Sequence, residues 1–138
     1  MEIPFPFEFV VRGVPLSLQA SAHSRQRWSN FVRAAASTRL PTDHWAAEGD
    51  LSVTIIFFSL GPSMIDTDNM AKPILDALNR YIWIDDRQVL QLICRKSDLR
   101  LMPSFTNPTL ELAAPLDAGG AFVYVRVGNE IRHEELPP

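Results

Sequence analysis

Residues 63–89, "SMIDTDNMAKPILDALNRYIWIDDRQV", place five aspartates (Asp66, Asp68, Asp76, Asp85 and Asp86) around Lys72, one of only two lysines in the chain. Asp66 and Asp68 are two apart, so in an extended segment their side chains point to one side. A helix is predicted to begin at Asp68 or Asn69, because Asp and Asn are favoured caps. Pro73 must then lie near its first turn, since proline cannot donate to the helix ladder. Ile74, Leu75, Ala77 and Leu78 would form the apolar face, with Lys72 about one turn from the start. A helix of about ten residues and a short return would carry Asp85 and Asp86 back toward the first pair. Four carboxylates gathered in this way repel one another unless a cation lies between them. Aspartate oxygens with room for waters suit Mg²⁺ or Mn²⁺. Such ions assist phosphodiester hydrolysis by lowering the pKa of water, holding the phosphate and steadying the leaving oxygen. A lysine beside them would stabilise the charge that builds on the phosphate.

Each pair taken alone also has a structural explanation. Asp68 or Asn69 caps a helix, Asp66 favours its positive end, and Asp85-Asp86 makes a polar turn. The two pairs combined with a lysine favour the metal site. An EF-hand calcium loop starting at Asp66 would need Gly and Glu where Ala71 and Ala77 stand. A haloacid-type phosphatase would carry its acids directly at the end of a strand, and here "GPSMI" intervenes.

"DTDNMAKPILDAL" followed by "WIDDRQV" resembles the signature of the RusA family of Holliday-junction resolvases. The pattern is Asp-x-Asp-Asn, a lysine four after the second Asp, Asp-Ala-Leu on the same helix, then Asp-Asp-x-Gln-Val. Order and spacing match from Asp66 to Val89, about a fifth of the chain. The resemblance implies a small homodimeric α/β nuclease of the cytoplasm that cuts branched DNA with Mg²⁺ (or Mn²⁺). By that likeness Asp66, Asp68 and Asp86 are metal-binding, catalytic acids, with Asp85 as a further metal neighbour. Lys72 is the catalytic lysine, Asn69 orders the loop, and Asp76 braces the helix. With so few lysines, the DNA surface would come from arginines. Arg25, Arg27, Arg33, Arg80 and Arg87 are the candidates, with Arg95 and Arg100 in addition. A binding protein that keeps this fold without cutting, and a metal nuclease for flaps or single strands, stay open as alternatives.

The elements that must position these residues are legible as pattern. Phe5, Phe7 and Phe9 alternate up to Gly13 and predict a strand. Trp28, Phe31, Val32 and Ala35 recur at helical spacing over residues 20–40, with Ser21 or Ser24 as the cap. "LSVTIIFFSL" is β-branched and aromatic and stops at Gly61-Pro62, so a second strand is expected. "VLQLICRKSDL" and "GGAFVYVRVGN" predict two more. Residues 101–120 read as a long loop with a possible short strand at 109–113. The expected architecture is a small α/β (α+β) domain over residues 1–138. It has a mixed sheet of four or five strands, two main helices and a loose tail at 131–138.

The 138 residues suffice for one domain, and 46% hydrophobic with 21% charged residues is a globular composition. The net charge of -3 divides unevenly: residues 1–39 carry +3 and residues 40–138 carry -6. The basic part is suited to a polyanion and the acidic part to cations. Cys94 is the only cysteine, and His23, His44 and His133 show no ligand spacing, which argues against a zinc site. No apolar run reaches membrane length and the acidic start lacks the form of a signal peptide, so a soluble intracellular protein is expected.

Overall fold

The computed structural model describes residues 1–17, 19–101, 114–116 and 119–131. The possible strand at 109–113, His133 and nearly all of the expected tail lie outside the described residues. Chain order is β1 (Phe7–Arg12), α1 (Ala22–Ser37), β2 (Leu51–Ser59), α2 (Thr67–Leu78), a 3-10 turn (Asp86–Gln88), β3 (Val89–Asp98) and β4 (Phe122–Gly128). The described strands form one mixed sheet in the order β1-β4-β2-β3. β4 pairs antiparallel with both β1 and β2, whereas β3 pairs parallel with β2. A parallel pair requires a crossover, and α2 supplies it. Among the described residues, no helix is long and apolar enough to cross a membrane.

Alternation in the strands decides the two faces of the sheet. Phe7, Phe9 and Val11 of β1, Val53, Ile55 and Phe57 of β2, and Val123, Val125 and Val127 of β4 are buried in the main core with the helices. The other face carries a smaller cluster of Phe58, Phe122 and Tyr124, with the two phenyl rings stacked at 4.8 Å. From α1, Trp28, Val32 and Ala36 enter the main core, one turn apart each. Phe31, expected on that buried face, is instead 59% exposed. The i, i+4, i+8 stripe is narrow, and a ring three residues after Trp28 falls outside it. Ser21 caps α1, accepting from the Ser24 amide at 3.2 Å, and Ser21 and Ser24 also bond through their hydroxyls.

Helix α2 begins earlier than the sequence pattern predicts. Asp66, not Asp68 or Asn69, occupies the cap position, and Asp68 lies in the first turn. Pro73 therefore sits in the helix interior, a place that removes one ladder bond. Its ring is buried with Met70, Ala71, Ile74, Ala77 and Leu78, so packing offsets the lost bond. Arg33 ties the two helices together: its Nε donates to the Ala77 carbonyl at 2.7 Å, and its guanidinium lies 5.5 Å from the centre of the Tyr81 ring.

Ile55 is fully buried in β2, a strand paired on both sides. Ile55→Ala is expected to cost about 2–5 kcal/mol through lost burial and the cavity left behind. Urea unfolding should show this as a lower midpoint at unchanged slope.

Candidate active site

The acidic motif spans the crossover, with Asp66 and Asp68 where α2 begins and Asp85 and Asp86 just before β3. The chain leaves β2 through Gly61, whose φ of +98° is left-handed and suits glycine. Three alternate residues of β3 then hold the loop along its length. The Asp98 carboxylate accepts from the Gly61 amide at 2.9 Å. The Lys96 ammonium donates to the carbonyls of Ser63 at 3.3 Å and Ile65 at 2.8 Å. The Cys94 thiol donates to the Thr67 carbonyl at 3.4 Å. Burial, and then the charge of Asp68, push the Cys94 thiol up to about 11, so it keeps its proton as a donor at neutral pH.

The five aspartates divide by what each is bonded to. Asp85 is structural: it caps the 3-10 turn, accepting from the Arg87 amide at 2.8 Å and from Arg87 Nε at 3.2 Å. The Arg87 amide and then its side chain hold the Asp85 carboxyl below the usual range. Asp76 is committed to Lys72 at 2.6 Å. Asp86 accepts from the indole of fully buried Trp83 at 2.7 Å, through Oδ1. Asp66 is a cap by position only, for its side chain makes no capping bond. Asn69 Nδ2 donates to Asp66 Oδ2 over a long 3.5 Å. Asp68 has no hydrogen-bond or ion-pair partner among the described residues. Among the described residues, the Asp68 carboxylate is thus unbonded and that of Asp66 accepts one long bond, whereas Asp76, Asp85 and Asp86 each have Oδ1 engaged.

Gln88, given no role in the sequence reading, fixes the return. Its Oε1 accepts from the amides of Ile84 and Asp85, both at 2.9 Å. Its Nε2 donates to the carbonyls of Ala47 at 2.8 Å and Gly49 at 2.9 Å. The "Asp-Asp-x-Gln" spacing signals a capping box, and that box is present. Its attachment to residues 47–49 has no local signal.

Lys72 carries the electrostatics of the site. The bond to Asp76, outweighing partial burial, raises its pKa, and the charges of Asp76 and Asp86 add to the effect. Asp86 is therefore within electrostatic reach of Lys72, as Asp68 is of Cys94. The pair stabilises the helix only weakly. A cation preceding an anion by four residues runs against the helix dipole and is the weaker order. Lys72 is 52% exposed, so the pair contributes at most about half a kcal/mol to stability.

The carboxylate oxygens left over are hard donors, which fits Mg²⁺ or Mn²⁺ chemically. Among the described residues, however, no three His, Cys, Asp or Glu side chains stand close enough together to hold an ion. The arginines are spread out: Arg25 and Arg27 are exposed on α1, Arg33 and Arg87 are bonded as above, and Arg80 is exposed with a left-handed φ of 64°. A surface groove lined in part by Ser52, Thr54, Leu92, Arg126 and Glu130 contains none of the motif residues.

Asp76→Asn should lower the Lys72 pKa toward its ordinary 10.5, which NMR titration of the ammonium nitrogen reads directly. The sign for stability follows from the raised value. The pair's contribution is complete below the unfolded pKa of 10.5 and disappears as pH rises through the folded one. The variant should accordingly lose a few tenths of a kcal/mol at neutral pH and nothing above the folded pKa.

No curated protein matches the chain closely enough to count as a relative. A sequence model of the family described as endodeoxyribonuclease RusA matches residues 20–102. That stretch is more than half of the chain and runs from α1 through the loop, α2, the 3-10 turn and β3. The motif, the elements that hold it and this match agree: the chain belongs to the RusA family of endodeoxyribonucleases.

Proposed function

We propose that the protein is a metal-dependent endonuclease that resolves four-way DNA junctions by paired, symmetric phosphodiester hydrolysis, acting as a homodimer. One observation carries the reading. Asp66 and Asp68, the two motif acids whose side chains have no bond shorter than 3.5 Å among the described residues, are a pair that the resemblance makes metal ligands, and Asp86 keeps its second oxygen open. Asp76, which the resemblance makes a brace, is bonded to Lys72, and Asp85, which it offers as a further metal neighbour, caps the 3-10 turn through one oxygen.

Asp66, Asp68 and Asp86 would supply carboxylates for Mg²⁺ or Mn²⁺, an ion that one or two carboxylates hold together with waters and substrate phosphate; bound there, it would supply Lewis-acid stabilisation of the charge developing on the phosphate. Lys72 stays protonated at neutral pH, so it serves as a cation and donor toward a phosphate oxygen and not as a base. To do so it exchanges Asp76 for the phosphate, and Asp76 holds it in place beforehand. Trp83 orients Asp86 through its indole N–H. Arg25 and Arg27, exposed on the basic N-terminal part, would take backbone phosphates, giving affinity that falls steeply with salt. β3 is an edge of the described sheet with Leu90, Leu92 and Ile93 about half exposed, a surface suited to a second copy.

The test is a labelled four-way junction beside a linear duplex of the same sequence, with and without Mg²⁺ or Mn²⁺. Paired nicks on the junction alone, and only with metal, are expected. Cutting of linear DNA at the same rate would remove the junction preference, and no cutting by a folded dimer would leave a binding protein. Asp68→Asn should abolish cleavage while the fold and junction binding persist; an unchanged rate would overturn the metal assignment. Lys72→Ala should slow cleavage about 100-fold with metal affinity nearly unchanged.

A further inference from the structure

The loop that delivers Asp66 has a second lysine built into it. Lys96 lies on β3 beside Phe57 of β2, on the face where Ile55 pairs with Cys94 and Ser59 with Asp98. Its ammonium spans the carbonyls of Ser63 and Ile65, the latter belonging to the residue just before Asp66. Cys94 holds the carbonyl of Thr67, just after Asp66. The residues on either side of Asp66 are therefore tied to one strand by side chains two residues apart. Asp66 itself makes no capping bond, and among the described residues its side chain has only a long 3.5 Å bond from Asn69 Nδ2. Its direction is set by backbone on both sides, and the stronger of the two ties is charged.

We propose that Lys96 is a positioning residue for the acid site, fixing the entry into α2 so that the Asp66 carboxylate is directed for metal binding. The inference rests on the reading of Asp66 as a metal ligand. A hydrocarbon side chain of similar length cannot bridge the two carbonyls, so the loop would lose its grip between Gly61 and Thr67. Arginine keeps several donors and the charge. Groups that hold metal ligands in place typically change metal affinity by about 10–100-fold when removed.

The experiment measures Mn²⁺ binding to the full chain by electron paramagnetic resonance, without DNA, for wild type, Lys96→Met and Lys96→Arg. Junction affinity in the absence of metal is followed over a salt series. Lys96→Met is expected to weaken Mn²⁺ binding about 10-fold, with junction affinity and its salt slope unchanged. Lys96→Arg should return metal affinity to within about threefold of wild type, a rescue that mere loss of stability would not show. Wild-type Mn²⁺ affinity in Lys96→Met would overturn the proposal. So would a lowered salt slope with metal affinity intact, which would make Lys96 a phosphate contact. If the wild type binds no Mn²⁺, the metal reading of the site fails and takes this proposal with it. That outcome is distinct, because it appears before any substitution is made. Should Lys96→Met not fold, Lys96→Gln, which keeps two amide donors without the charge, is read by the same criteria.

Discussion

Parallel pairing of β2 with β3 is the constraint from which the site follows. Two parallel neighbours cannot be joined by a tight turn, so the chain must leave β2, cross the sheet and return. α2 is that crossing, with Asp66 and Asp68 at its start and Asp85 and Asp86 where the chain returns to β3. A loop leaving a strand carries polar backbone groups that a core cannot satisfy. Here β3 satisfies them with side chains two residues apart, Asp98, Lys96 and Cys94, as the loop runs past in the opposite sense. β3, an edge of the described sheet, is thus paired through its backbone with β2 while its side chains support the loop.

The distribution of charge obeys the same economy of partners. Placing five carboxylates and few cations in one short segment is costly unless each acid finds a donor or stays in water. Asp85 takes backbone and guanidinium donors, Asp76 takes Lys72, and Asp86 takes an indole N–H. Asp66 and Asp68 remain exposed at the positive end of α2, where the dipole favours negative charge. That position accommodates both carboxylates at little cost, with only the long bond from Asn69 to Asp66 among the described residues. The Lys72–Asp76 pair is in the less favourable order for an i, i+4 pair and adds little to the helix.

Much of this was legible beforehand, and the exceptions have identifiable causes. The strands from Phe7, Leu51, Val89 and Phe122 follow β-branched and aromatic patterning, and the structure has them within a few residues. The start of α2 is not set by residue type, because a cap is defined by backbone direction, and Asp66, Asp68 and Asn69 are all chemically acceptable there. Pro73 looked like a first-turn residue, since local rules cannot see that its ring would be buried. Phe31 matched the helical repeat, yet which arc of α1 meets the sheet depends on the crossing of the whole helix. Gln88 was legible as part of a motif but not as a clamp, because the carbonyls it donates to lie 41 and 39 residues away.

By itself the sequence determined the chemistry on offer: hard carboxylate oxygens, one lysine among them, and a spacing matched to a known nuclease signature. Residue type and short-range order suffice for that. Only the tertiary structure decided which acids carry the fold and which stay open, and that Lys96 grips the loop before Asp66. Those assignments depend on hydrogen bonds between segments distant in sequence, whose partners are brought together by strand pairing and core burial. No local pattern encodes them.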